Sequence, residues 1–287
     1  MNSKKLMLSS SVFPDALRTI PSAPTQLFAV SAAYEDWADR PRVAIVGSRK
    51  VSPYGREITT QLAHGLAERG IVVISGLALG VDGLAHRAAL DAGGCTVAVL
   101  PTPLSDIYPS SHQQLARHIV EQGGTLYSEY GPGSEVYRTN FIARNRLIAG
   151  LAKVVLITEA AEKSGSLHTA HFALEQGKDV LAVPGSIYNP MSVGANNLIK
   201  AGAMPVTDVA DVLRALGITE KSKRRQKPKG STPEEQLLLD LLAAGTHDCD
   251  ALQAGSGLEA ARFNQTLTML EITGAIHSTG GGQWVLG

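Results

Sequence analysis

From Arg42 onward, short apolar runs rich in β-branched residues alternate with segments of helical period, and this alternation constrains the fold more than any other feature. Val43–Val46, Ile71–Ile74, Thr96–Leu100, Thr125–Tyr127, Val154–Ile157, Val180–Val183 and Met204–Val206 read as buried strands. Between them, Tyr54–Arg69 repeats Ile58, Leu62 and Leu66 every four residues, and Val81–Ala92, Gln113–Glu121, Ser166–Gln176, Asn196–Ala201 and Val209–Leu216 read as helices. Strands that are apolar on both faces and separated by helices imply an α/β fold, a parallel sheet covered on both sides. Right-handed crossovers make it a doubly wound, Rossmann-like domain over residues 41–217.

The flanking segments break that rhythm. Residues 1–40 have no clear period and contain Pro14, Pro21 and Pro24, so they read as a lead-in packing on the main domain. Residues 218–230 read as a basic linker, with six positive charges from Lys221 to Lys229 and nothing to bury. Residues 231–287 begin with a cap-then-proline helix start at Ser231-Thr-Pro-Glu-Glu. Leu237, Leu238, Leu241 and Leu242 supply that helix's apolar face, further helices follow around Cys249–Ala254 and Leu258–Thr273, and a glycine turn joins two short strands. Three helices and a hairpin in this length match a small winged helix-turn-helix.

Charge excludes some functions. The 26 basic and 26 acidic residues cancel, so any polyanion must be met by local clustering. Two cysteines offer neither a disulfide framework nor metal spacing, no apolar run approaches the ~20 residues a membrane helix needs, and the N-terminus lacks a signal-peptide core. A cytoplasmic protein with no membrane partner is expected.

The local cluster lies at the strand ends, where open parallel sheets bind ligands. Gly47-Ser48-Arg49 ends one strand and Ser75-Gly76 opens the small-residue loop that ends the next. Asp82, at the start of a helix, reads as an N-cap. Arg138, Asn140, Phe141, Arg144 and Arg146 precede another strand. Arginine brings permanently charged planar donors suited to phosphate, and Phe141 offers either a base-stacking plate or core packing. On a helix, Arg144 and Arg146 do not share a face, so one can meet a ligand while the other pairs with an acid such as Glu159. Lys163, Ser164, Gly165 and Ser166 open a helix with hydroxyls and free amides, an anion nest. His168 and His171 have no partner to complete a metal site. The G-x-G-x-x-G and Walker A loops, H-E-x-x-H, G-x-S-x-G and a Ser/His/Asp order are all missing, so neither cofactor nor catalytic residue is expected.

These motifs together resemble the DNA-processing protein A (DprA/Smf) family. The carriers are Val43 to Arg49 with Tyr54-Gly55, Ser75 to Asp82, Tyr108-Pro109, Phe141 to Leu151, Glu159-Ala160, Ser164 to Ala170, Ala182 to Gly185, and Gly194 to Ile199 with Gly202-Ala203. The likeness spans about Phe13 to Leu216. It implies a non-enzymatic homodimer that binds single-stranded DNA, protects incoming strands and loads RecA recombinase during natural transformation. By the same resemblance, Arg49 and Arg138 grip phosphates, Phe141 lines the path and Ser164–Ser166 make helix-end contacts. Ile142 departs from the proline usual after the aromatic, and Val81 from isoleucine. Nothing before Phe13 is long enough for the N-terminal helical module of many relatives. Two rivals remain. One is a nucleoside-monophosphate phosphoribohydrolase of the lysine-decarboxylase-like type, although its Pro-Gly-Gly-x-Gly-Thr loop reads Lys-Ser-Gly-Ser-Leu-His-Thr here. The other is a sequence-specific duplex reader built on the tail around Arg262 and Gln265.

Overall fold

The computed structural model describes residues 4–7, 13–31, 37–219 and 230–286. The basic stretch 220–229 lies outside them. The chain forms two compact units, Met1–Thr219 and Glu220–Gly287.

In the first unit the described strands are β1 (Lys4–Met7), β2 (Gln26–Ser31), β3 (Arg42–Val46), β4 (Val72–Ser75), β5 (Thr96–Leu100), β6 (Thr125–Ser128), β7 (Val154–Ile157), β8 (Asp179–Ala182) and β9 (Met204–Pro205). They form one sheet in the order β1-β2-β6-β5-β4-β3-β7-β8-β9. From β6 to β9 every pairing is parallel, while β2 pairs antiparallel with both β1 and β6. The helices are α1 (Pro53–Glu68), α2 (Val81–Asp91), α3 (Gln113–Glu121), α4 (Arg138–Leu151), α5 (Ser166–Glu175), α6 (Val193–Lys200) and α7 (Val209–Ala215). The chain builds outward from β3 through β4, β5 and β6, then returns to β3's other side for β7 and β8. The topological switch point therefore falls between β3 and β7, the doubly wound arrangement that the alternation implies.

Strand side chains alternate between two cores. Ala44, Val46, Val155 and Ile157 pack with Leu147, Ile148 and Leu151 of α4. Val43, Ile45, Val154 and Leu156 pack with Leu62 and Leu66 of α1 and Ala85 and Ala88 of α2. The lead-in does more than pack on this domain. It supplies β1 and β2 to the sheet edge, and Phe13, Leu17 and Ile20 are buried in the core containing α4. β2 escaped the periodicity because its residues are only alternately buried and follow two prolines.

Two polar groups, one half-buried and one buried, sit within the scaffold. Lys178 donates to the carbonyls of Ala149, Gly150 and Ala152 at 2.7, 2.6 and 2.8 Å, so its ammonium closes the C-terminus of α4. His86 of α2 places Nδ1 2.7 Å from the Thr96 hydroxyl, which itself donates to the Val73 carbonyl. That hydroxyl's one proton is committed, so Nδ1 is the donor and Nε2 is a buried acceptor without a partner. Burial, with like charge from His112 and Arg144, pushes His86 down to about 3.

The second unit holds α8 (Pro233–Ala243), α9 (Cys249–Ser256) and α10 (Ala260–Ile272), then the antiparallel pair β10 (Ile276–Gly280) and β11 (Gln283–Leu286), a winged helix. Thr232 caps α8, accepting from the Glu235 amide at 3.2 Å, and Asp248 caps α9, accepting from Ala251 at 3.0 Å. The buried face of α8 is Leu238, Leu239 and Leu242. Leu237, expected inside, is 39% exposed, because the helix is turned so that Leu239 faces Phe263, Leu267 and Leu270 of the core. No helix among the described residues is long and apolar enough to cross a membrane.

Candidate nucleic-acid interface

The ends of β3 and β7, the N-terminus of α5 and the first turns of α4 enclose a cavity of about 520 Å³ at the switch point. Gly47, Ser48, Arg49, Phe141, Arg144, Lys163, Ser164, Gly165 and Ser166 all line it. Lys50, Asp82, Asn145 and Met191 join them, none of which sequence reasoning had placed there as a ligand residue. Lys50 could have been read from sequence, since it simply extends the Gly47–Arg49 motif by a second cation.

Backbone packing makes the floor. A Cβ on Gly47 would come within 2.6 Å of the Glu159 carbonyl and 2.7 Å of Val81, so glycine is needed for β3, β7 and α2 to meet this closely. The Ser48 amide donates to Glu159 O at 2.8 Å, and the Ser48 carbonyl accepts from Val81 at 3.2 Å. The next residue, Arg49, is exposed, with its guanidinium carbon 5.4 Å from the Phe141 ring centroid.

The two arginines of α4 have different partners. Arg146 pairs with Glu129 at 2.6 Å, not with Glu159. Glu159 instead accepts from the Ser52 amide at 2.9 Å and from its hydroxyl, at the start of α1. Arg144 is only 4% exposed and donates from Nη1 to the carbonyls of Gly76 (2.6 Å) and Val99. Asp82 is not the N-cap of α2. That place belongs to Gly80, at φ +78, and Asp82, two residues further on, accepts from the Gly76 and Ala78 amides at 3.1 and 3.4 Å. Burial pushes the Asp82 carboxyl up and Arg144 down, to about 10, and the attraction between them opposes both shifts. Arg144 is thus a charged but internally satisfied edge of the cavity. Gly76 serves it directly, because a Cβ there would lie 2.6–2.7 Å from the guanidinium.

At the mouth of α5, Gly165 is the N-cap residue, and the hydroxyls of Ser164 and Ser166 lie 2.8 Å apart. Gly76 lines a smaller neighbouring slot with Leu79, Tyr108 and Phe141, in which the Tyr108 and Phe141 rings meet edge-on at 5.3 Å. Arg138 and Asn140 line neither space. Arg138 is exposed at the first residue of α4, and Asn140 is buried with its amide nitrogen unpartnered. Four cations therefore border the larger cavity, and its one lining carboxylate, Asp82, is tied to backbone amides. A neutral chain has concentrated positive charge where strand ends and a helix dipole converge.

Comparison with known proteins agrees with this architecture over nearly the whole chain. A family model described as DNA recombination-mediator protein A matches residues 4–217, and one described as DprA winged helix domain matches residues 222–282. The chain belongs to the DNA recombination-mediator protein A family. Its relatives include the putative DNA processing protein DprA of Mycobacterium tuberculosis, 38% identical over 88% of this chain and 66% of that protein. Protein Smf of Escherichia coli is 48% identical over 61% of this chain and 47% of its own length. The chain thus spans less than two thirds of either relative. Among solved structures, DprA of Streptococcus pneumoniae superposes with a TM-score of 0.69 at 40% identity, covering 74% of this chain and 73% of that one. DNA processing protein A of Helicobacter pylori, described for its single-stranded DNA binding mode, superposes at 0.66 with 32% identity, covering 75% and 95%.

Proposed function

We propose that this protein is a single-stranded DNA-binding recombination mediator, acting as a cytoplasmic homodimer that protects incoming strands and loads RecA during natural transformation. The observation that carries the reading is the cavity at the switch point, which Arg49, Lys50 and Lys163 line together with the mouth of α5. Arg49 and the α5 mouth are phosphate contacts, and Phe141 presents its ring to a base. Arg138, at the exposed start of α4, extends the same path outside the cavity. Backbone amides and cations bind phosphates without reading bases, so the binding is independent of sequence. The family membership and the strand-binding Helicobacter relative support this reading.

The action is holding rather than catalysis. Asp82, Glu129 and Glu159, the carboxylates singled out at the strand ends, are engaged by amides, Arg146 and Ser52 respectively, which disfavours them as general bases and with them the phosphoribohydrolase reading. Titration of labelled oligo-dT at several salt concentrations tests the proposal. On the order of three to five neutralised phosphates give a log–log slope of about −2 to −3.5. A slope near zero, or release of free base from AMP, would overturn it.

A further inference from the structure

The loop after β8 contains a turn of unusual composition. The Asn189 amide donates to the Ser186 carbonyl at 3.1 Å, closing Ser186-Ile-Tyr-Asn189. Central turn positions favour glycine, proline, asparagine, aspartate or serine. Here they hold Ile187 and Tyr188, 79% and 90% exposed. The turn is nonetheless firmly held. Asn196 brackets Gly185, accepting from its amide at 3.1 Å and donating to its carbonyl at 2.9 Å. The Tyr54 hydroxyl donates to Pro184 O at 2.8 Å, and the Tyr188 amide is 3.3 Å from the Ser186 hydroxyl. The fold therefore keeps an aromatic ring in water on a fixed support.

This turn is continuous with the anion site. Met191, two residues beyond it, lines the cavity at the switch point, and Asn189 lines an open groove with Tyr54, Pro184, Gly185 and Ser186. The segment Lys50–Tyr54 links the two spaces from the α1 side. β8 lies next to β7 and one strand further from β3, about 5–10 Å along the sheet edge. Roughly two or three nucleotides cover that distance. No aspartate or glutamate occurs between Val180 and Thr207, so a polyanion following the edge meets no opposing charge from this segment.

We propose that Tyr188 is a second base-stacking platform for the same single strand, at the end of the cavity away from Phe141, with Tyr54 lining the groove at its base. The proposal rests on the single-strand reading above and extends its path across β8. Aromatic rings beside a cationic groove are the means by which single strands are held without base readout.

The test uses the full-length protein and labelled oligo-dT of roughly 4 to 16 nucleotides. Tyr188→Ala is expected to weaken binding of the longer oligonucleotides roughly 5- to 150-fold, the contribution of one stacked base, with the salt slope unchanged because no charge is lost. Tyr188→Trp is expected to restore the affinity and to be quenched by the strand. Unchanged affinity in Tyr188→Ala, alongside weakened binding in Arg49→Ala, would overturn this proposal and leave the cavity reading intact. So would a Tyr188→Trp variant as weak as Tyr188→Ala, or a change of oligomeric state on sedimentation with binding unaltered, which makes the turn a contact between copies. Failure of the unsubstituted protein to bind any strand would remove the functional reading itself, and this proposal with it.

Discussion

The strand ends of the first unit and the winged-helix residues of the second treat charge in opposite ways. At the strand ends of the first, Arg49, Lys50, Arg144 and Lys163 border one cavity, and the single lining carboxylate is bound to amides. In the second, Arg262 is the only lysine or arginine from residue 231 onward, against Glu234, Glu235, Asp240, Asp248, Asp250, Glu259 and Glu271. Even that arginine is engaged, donating to Glu234 at 3.2 Å. A winged helix that reads duplex DNA places cations around its recognition helix. This one presents acids there, with Met269 and Ile272 exposed on α10. Architecture alone does not assign nucleic-acid binding; the placement of charge does.

Breaking the contrast from the cationic side has the largest effect. Arg49→Ala should weaken every oligonucleotide alike, by roughly 10- to 100-fold if one charge-assisted phosphate contact worth about 1.5–3 kcal/mol is lost. The salt slope should become shallower by about 0.7. A change confined to particular sequences would mean that Arg49 reads bases.

The internal charge pair gives the next effect. Gly76→Ala drives a methyl into the Arg144 guanidinium, which is braced by two carbonyls. A loss of about 1–3 kcal/mol in denaturant unfolding is expected, together with weaker strand binding. Stability equal to the parent protein would show that Arg144 can move aside freely.

Acid separates the units in a third way. His86 is buried as the neutral base with its pKa lowered from 6.5 to about 3. The unfolded chain therefore binds the extra proton first, and the stability present above pH 6.5 is lost as pH falls from 6.5 towards 3. Each unit has one tryptophan, Trp37 and Trp284, so the variant Trp284→Phe reports the first unit alone. His86→Gln should flatten that unit's pH dependence in this window, and an unflattened profile would assign the acid sensitivity elsewhere. The smallest effect is expected from Arg262→Ala, which should leave strand affinity within about twofold and cost only a few tenths of a kcal/mol, as exposed pairs do. A marked fall in affinity would bring the winged helix into the binding path.

Much of the sheet was legible because its strands are buried on both faces and its helices carry a four-residue repeat. What escaped notice was half-exposed or dependent on partners distant in sequence. β2 alternates at an edge, and β1 is recognisable only through it. Arg144 and Arg146 were separable by helical geometry, yet their partners, Gly76 and Val99 for one and Glu129 for the other, are set by which strands adjoin α4. Asp82 looked like a cap because capping is a local habit, while the loop it actually binds is fixed by the turn at Gly80. Arg138 and Asn140 were drawn towards the cavity by their nearness to Phe141 in sequence, but the start of α4 leaves them outside its lining.

Lys178 has a consequence beyond tidying a helix end. Its ammonium fastens the far end of the helix that carries Phe141, Arg144 and Arg146, some 28 residues away along the chain from Gly150. Neutralising that nitrogen by acylation would replace three charge-assisted bonds to the end of α4 with at most one amide donor. A charge set just before β8 thus holds in place the helix whose other end lines the cavity with Phe141 and Arg144.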